Sequence, residues 1–346
     1  GSEMCIRDRF NMVNSAEGKQ EFIFTLNDRE KEELQLLINK IGLDTIDLNS
    51  EKILSIKEYS QYVPKSIYKV LIHFKRFSNH QGVIVFKNLP TDNELPKTPE
   101  DGKPSVEKKS FVSETILFLF MSILGEVFGY EDEKNGQLVH DISPIKGQEK
   151  NIENSGSDVF FSYHVEDAIH PYKPDYLALY CLKSDHEKVA ITETSSISEA
   201  IKKLSDSTLN TLRKPMYELH PPASFNSSHL SRKVSVIGGS QKQPELLIHE
   251  TLMQGIENEA EKALNELKET LPKVSNGVQL NPGELIILDN NKAAHARSAF
   301  KPRYDGEDRW LQRMFSINDL KGLEDYMKED ENIFIPLANI LKEKEK

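Results

Sequence analysis

The chain has 346 residues, 38% of them hydrophobic and 29% charged, a balance that suits a globular fold rather than a disordered or membrane-embedded one. Its formal charge of −11 disfavours phosphate backbones and anionic lipid surfaces, so nucleic acid and membrane are set aside as partners and a small molecule is the default ligand. Two cysteines, Cys5 and Cys181, cannot build a disulfide framework, and a reducing, cytoplasmic setting is expected.

Residues 1–20 have no secretory apolar core. Gly1-Ser2 looks like a cloning scar and Met12 like a natural start, so the stretch is set aside as a tag or disordered segment. From 21 to 346 a single domain is expected, with a helical part over 21–79, a β core over about 80–320 and a helical tail over 321–346. Residues 26–42 predict a helix, because Asn27 can cap it, Leu34, Leu37 and Ile38 recur at helical spacing, and Gly42 closes it. A second helix is predicted over 64–79. "GVIVFKNLP" at 82–90 reads as a buried strand between Gly82 and Pro90. Residues 91–113, rich in Pro, Lys, Asp and Ser, predict a long loop. The apolar run over 114–129 predicts a buried helix, which Ser122, Gly125 and Glu126 interrupt too soon for a membrane span.

From residue 136 the texture changes to short β-rich runs: "QLVHDISPI", "DVFFSYHVE", "DYLALYCLK", "KVAITETSS", "RKVSVIGG", "ELLIHETL", "ELIILDN" and "RWLQRMFSI". Helices interrupt them at about 196–214 and 252–270. Strands of this number and spacing predict a mainly β fold with flanking helices, its core a barrel or jelly roll. The polar, Ser- and Gly-rich segment 221–245 reads as a lid over the site. The C-terminal stretch "LEDYMKEDENIFIPLANILKEKEK" reads as a docking helix or a homodimer element.

The chemistry starts at "YHVEDAIHP". In an extended strand His164 and Glu166 point the same way and can offer two ligands to one metal. His295, in "NNKAAHARSAF", is the candidate third. Two imidazoles and a carboxylate on one face of an octahedral metal leave three positions open, the arrangement of mononuclear non-haem Fe(II) oxygenases. A His-x-Glu pair alone is common. His140 reads as an ordinary strand histidine, His170 as a rim or hydrogen-bonded one, and His186 and His249 as partners of neighbouring acids. Pro302 and Asp305-Gly306 predict a hairpin whose returning strand aims Arg309, Leu311 and Arg313 at one face. Two inward arginines each need an anion, and a bound small-molecule carboxylate is favoured; the alternatives are a protein acid such as Asp289 or Glu284, or a solvent-facing side chain.

"HVE" at 164–166, "HAR" at 295–297 and "PRYDGEDRWLQR" at 302–313 follow one another in order, and together they resemble the clavaminate-synthase-like branch of the Fe(II)/2-oxoglutarate oxygenases over about residues 80–320. Within it the sequence is most similar to hydroxylases of free L-amino acids (lysine, arginine, asparagine). The resemblance implies a double-stranded β-helix, a cupin-like jelly roll, with iron on His164, Glu166 and His295. It implies that Arg309, assisted by Thr192, clamps 2-oxoglutarate, that Arg313 binds the α-carboxylate of the amino acid, and that Gln137 and Glu166 take its α-amine. The co-substrates would be 2-oxoglutarate and O₂, and the products succinate, CO₂ and a hydroxylated amino acid. A carboxylate at 166, where related halogenases keep a small residue, implies hydroxylation. Glu250 falls where relatives acting on basic amino acids carry acids toward the side-chain cation, so L-lysine, at C4 or C3, is the expected substrate. Arginine or another polar amino acid comes next. A glutamate opening the following helix is the plainer reading of Glu250. The competing classes are a non-catalytic metal-binding jelly roll and a zinc hydrolase; the latter leaves both arginines without a purpose.

Overall fold

The computed structural model describes residues 22–152, 156–222 and 230–344. Strand β1 (Ile23–Thr25) leads into helices α1 (Asp28–Ile41), α2 (Ser50–Tyr59) and α3 (Lys65–Phe77). Asn27 caps α1 as expected. Its Oδ1 accepts the Glu30 N–H at 2.9 Å while the Glu30 carboxylate accepts the Asn27 N–H at 3.0 Å, so two otherwise orphaned donors are satisfied reciprocally. The sequence reading missed α2, which Asn49 caps and which buries only Ile53 and Ile56, too thin an apolar stripe to stand out.

Strand β2 (Val83–Lys87) shows the alternation that builds the molecule. Val83 and Val85 join one apolar core, Ile84 and Phe86 the other. The buried helix predicted over 114–129 is in fact two elements: α4 (Val112–Leu124) and β3 (Glu126–Tyr130). Gly125 separates them. A Cβ there would overlap the Ile317 carbonyl oxygen, so only glycine lets the chain turn from helix to strand against that backbone. Apolarity alone hid this break, because both elements are buried.

The remaining strands are β4 (Val139–Ile142), β5 (Phe161–His164), β6 (Tyr176–Lys183), β7 (Ile191–Ser196), β8 (Tyr217–Leu219), β9 (Arg232–Val234), β10 (Ile237–Gly239), β11 (Pro244–Leu246), β12 (Met253–Gly255), β13 (Asn276–Gln279), β14 (Leu285–Asp289), β15 (Ala293–Arg297), β16 (Trp310–Ile317) and β17 (Ile333–Phe334). The expected helical stretch 196–214 holds a single helical turn at Ile197–Ala200 and then α5 (Asp206–Leu212), and α6 (Asn258–Thr270) is shorter than the expected 252–270, since β12 occupies the start of that stretch. The major sheet runs β1-β2-β14-β6-β16-β3-β17, with β4 also on β16, and the minor sheet β13-β7-β15-β5. One face of the major sheet packs on α1 to α4 through Phe86, Tyr180, Ile287 and Trp310. The other joins the minor sheet in a second core that includes Leu179, Ile286, Leu311 and Ala294.

Two further expectations are revised. β15 and β16 do not form a hairpin. β15 pairs with β5 and β7, whereas β16 pairs with β6, β3 and β4, so residues 298–309 cross from one sheet to the other. The turn signals marked the crossing correctly but cannot report which strand comes next. Of the expected lid 221–245, residues 223–229 lie outside the described residues, and the rest includes β9 on β8 and a β10–β11 hairpin. The expected tag, 1–20, also lies outside them. At the C-terminus β17 adds to β3 in parallel, and α7 (Leu337–Lys344) buries Leu337 and Ile340 against the same chain. Among the described residues no helix is long and apolar enough to cross a membrane.

Gly125→Ala is expected to destabilise the fold by about 2–3 kcal/mol through overpacking against β16, read as a lowered urea midpoint. An unchanged midpoint would mean that the backbone contact is not tight.

Candidate active site

His164 ends β5 and His295 sits mid-strand in β15, and the two are direct antiparallel partners. Directly opposed residues point to the same face, and the ring centroids lie 4.2 Å apart. Glu166 follows two residues beyond the end of β5, where the ladder no longer holds it. Asn290, fully buried after β14, holds it instead. Its Oδ1 accepts the Glu166 N–H at 2.8 Å, and its Nδ2 donates to the carbonyls of Glu166 at 3.1 Å and Pro174 at 2.8 Å. Asp167 next turns the chain with φ of 47°, in the left-handed region.

One ligand atom from each of His164, Glu166 and His295 can be chosen so that all lie within 4.8 Å of one another. The His164 Nδ1 donates to the Ser162 carbonyl at 2.8 Å, which leaves Nε2 with its lone pair. Burial pushes the His164 imidazole down to about 4, and burial followed by the His164 and Arg313 charges holds His295 well below its usual value. Both rings are therefore neutral. The 3.6 Å approach of His295 Nε2 to Glu166 Oε2 sets an imidazole nitrogen beside a carboxylate oxygen, ligand types that fit a divalent cation.

The three side chains open on a cavity of about 230 Å³ that Arg309, Leu311 and Arg313 also line, so these three share a face as the sequence implied. Arg313 does not wait for a ligand, however. Its Nη1 donates to Glu166 Oε1 at 2.9 Å, and its Nη2 reaches Glu133 and, at 2.7 Å, His140 Nδ1. Its partners are thus protein acids, though neither of the two suggested by sequence. Burial lowers the Arg313 pKa, but the Glu133 and Glu166 carboxylates more than reverse this and leave it raised. Asp167 closes the cluster with Glu133 and Glu166; burial, then those two charges, raise its carboxyl well above the usual range.

Arg309 is different. It is 6% exposed, and among the described residues no hydrogen bond or ion pair reaches its guanidinium. On the cavity wall it stands with another cation, Arg297, which burial and then Arg309 push down to about 9, while the acid whose charge acts on Arg309, Asp185, lies off that wall. Both guanidiniums lie near the Phe300 ring, at 5.1 Å for Arg297 and 5.7 Å for Arg309. Thr192, the cross-strand partner of Arg297, lines the same wall. A buried guanidinium beside a second one is costly unless an anion meets it.

Two expected site residues fall elsewhere. Gln137 is half-buried and off the cavity wall; its carbonyl accepts His140 Nε2 at 2.7 Å. Glu250 is also off the wall, its carboxylate accepting the Tyr163 N–H at 3.1 Å. Its neighbour His249 lines the cavity instead and pairs with Thr251 rather than with an acid. His186 does pair with an acid, Asp305 at 3.2 Å, and His170 Nδ1 accepts the Tyr172 N–H at 3.1 Å. Glu133, Arg297 and His249 were missed. Glu133 sits in the acidic turn "YEDEKNG", which reads as solvated surface, and only the "HAR" motif hinted at Arg297.

The sequence profile of the taurine catabolism dioxygenase TauD, TfdA family matches residues 74–315. The chain belongs to the TauD/TfdA dioxygenase family, in its clavaminate-synthase-like branch. Among TauD/TfdA relatives, the L-asparagine oxygenase of Streptomyces coelicolor is 35% identical over 75% of this chain and 78% of that protein. The L-lysine 3-hydroxylase of Catenulispora acidiphila is 28% identical over 74% of this chain and 73% of that one. A crystal structure of asparagine oxygenase with Fe(II), 2S,3S-3-hydroxyasparagine and succinate superposes with a TM-score of 0.85 at 29% identity, covering 91% of this chain and 99% of that one.

Asn290→Ala removes three buried hydrogen bonds and is expected to lower unfolding free energy by about 2–4 kcal/mol in urea titration. A change under about 0.5 kcal/mol would show that the Glu166 loop is held by something else.

Proposed function

We propose that this TauD/TfdA dioxygenase hydroxylates a free L-amino acid, with Fe(II) on His164, Glu166 and His295 and 2-oxoglutarate on Arg309. The observation that carries the reading is the meeting, on one cavity, of two neutral imidazoles and a carboxylate with a buried guanidinium that has no hydrogen-bond or ion-pair partner among the described residues. We read the paired sheets as a jelly roll and residues 21–346 as one domain built around it.

Bound iron, 2-oxoglutarate and O₂ would supply the oxidising chemistry, with release of succinate and CO₂. The protein's part is binding and placement. The Ser162 carbonyl orients His164, and Asn290 sets the backbone of Glu166. Arg309, with Arg297 and Thr192 beside it, receives a dicarboxylate through the paired donors that a guanidinium presents. The substrate's ammonium fits the acid cluster of Glu133, Glu166 and Asp167, where three carboxyl groups face one guanidinium. Its α-carboxylate fits Arg313, whose buried Nε has no partner among the described residues. Leu179, Leu311 and Ile142 line the cavity and exclude water from it.

Adding Fe(II) and 2-oxoglutarate without oxygen is expected to give a weak visible charge-transfer band. With O₂, one or more of the twenty free L-amino acids should gain one oxygen atom as succinate forms in equal amount. Neither band nor succinate with any amino acid would sink the proposal. Glu166→Ala should abolish hydroxylation, and Arg309→Gln should raise the KM for 2-oxoglutarate on the order of 100-fold, the loss expected when a buried charge pair loses one partner. Full hydroxylation by the Glu166 variant would contradict its assignment as a ligand.

A further inference from the structure

Segment 332–337, part of the stretch read from sequence as a docking helix or homodimer element, packs into its own chain. Two of its carbonyls pair with β3 and the residue just after it. The Gly129 N–H donates to the Asn332 carbonyl at 2.9 Å, and the Glu131 N–H to the Phe334 carbonyl at 3.0 Å. Asn332 fastens the segment at its start, its Nδ2 donating to the Val127 carbonyl at 2.8 Å and its Oδ1 accepting from Ser50 Oγ at 2.8 Å. Phe334 is fully buried and stacks on Tyr172, the ring centroids 5.3 Å apart and the planes within 10°. At the far end the Leu337 N–H, which opens α7, donates to Asp132 Oδ2 at 2.6 Å. Except for the bond from Ser50, these hydrogen bonds land between Val127 and Asp132. The next residue is Glu133.

The turn that carries Glu133 does not hold itself in place. Lys134, Asn135 and Gly136 follow with φ of 50°, 56° and 79°, three left-handed residues in a row, two of them with side chains. That backbone is disfavoured for L residues and persists only where the surroundings impose it. Gly136 rests on Ile333, whose carbons would stand 3.1 Å from a Cβ at that position, and Lys134 Nζ donates to the Gly102 carbonyl at 2.5 Å. Glu133 meets Arg313 through Oε1, while its Oε2 is buried and has no partner among the described residues. With Asp167 Oδ2, that oxygen is an open acceptor in the acid cluster.

We propose that segment 332–337 holds Glu133 Oε2 in place for the ammonium group of the substrate, with Asp132 as the positioning residue. Asp132 is off the cavity wall, so it acts on a ligand only through its neighbour. The bond from Leu337 fixes the turn before any ligand arrives, and a carboxylate already ordered costs less to use in binding. None of the bonds made by the segment touches the residues around Arg309, so the amino acid and 2-oxoglutarate should respond differently to its loosening. The inference rests on the reading that a free L-amino acid binds with its ammonium at the acid cluster.

Calorimetric titration of the anaerobic Fe(II) protein with 2-oxoglutarate, and then with each of the twenty free L-amino acids, tests it. Asp132→Ala should weaken the tightest-binding amino acid about ten-fold, as loss of one hydrogen bond to a charged group does, and leave 2-oxoglutarate within about two-fold. Asp132→Asn, which keeps the acceptor without the charge, should restore tight binding. In a Glu133→Ala background Asp132→Ala should weaken the amino acid no further. Equal weakening of both ligands, no weakening, failure of Asp132→Asn to restore binding, or an undiminished effect without Glu133 overturns this inference and leaves the hydroxylase reading standing. Hydrogen exchange in the unsubstituted protein decides the question even if a variant does not fold. The bound amino acid should slow exchange of the Glu131 and Leu337 amides several-fold, and unchanged exchange overturns the inference. Failure of every free amino acid to bind overturns both readings.

Discussion

The direct pairing of His164 with His295 across β5 and β15 is the constraint on which the site depends. Antiparallel pairing fixes which side chains stand opposite one another, and a slip of one residue would send one imidazole to the other face of the sheet. That register is secured far from the cavity, because β15 also pairs through five residues with β7 and β7 in turn with β13. The third side chain, Glu166, lies past the end of its strand, and one buried asparagine substitutes for the missing ladder. A regular element therefore sets two positions, and a side-chain network sets the third.

Charge is distributed around this centre in two unequal ways. Arg313 is surrounded by Glu133, Glu166 and Asp167, with His140 at its edge, so the region holds more acid than base and suits an ammonium. Arg309 and Arg297 face the same cavity with no ion pair to either guanidinium among the described residues, only the charge of Asp185 acting on Arg309 from off the cavity wall, and they suit a carboxylate. Low dielectric strengthens both preferences. The separation runs along β16: Arg309 stands at its N-terminal flank and Arg313 within it, while Arg297 joins Arg309 from β15 across the inter-sheet space.

Legibility followed the range of the interaction. The α1 cap was readable because Asn27 and Glu30 are three residues apart and satisfy each other. Strand β2 was readable because a buried strand leaves an unbroken apolar run. The α4–β3 break was not, since the reason Gly125 ends the helix is a carbonyl 192 positions later in the sequence, at Ile317. Glu133 was hidden for the same reason: it reads as a surface acid until Arg313 is brought to it. Arg309 was found because an arginine alternating with apolar residues in a core strand is anomalous wherever that strand lies.

By itself the sequence determined the local matters: caps, strand alternation, which arginines point inward and which residue types could hold a metal. It also carried the family resemblance, since motif order survives without knowledge of contacts. Only the tertiary structure decided that β15 and β16 belong to different sheets, that Arg313 is already paired, that Gln137 and Glu250 stand off the cavity, and that His249 stands on it. Each of these depends on the partner of a side chain rather than on its identity, and most of those partners are brought together by pairing between segments far apart in the sequence.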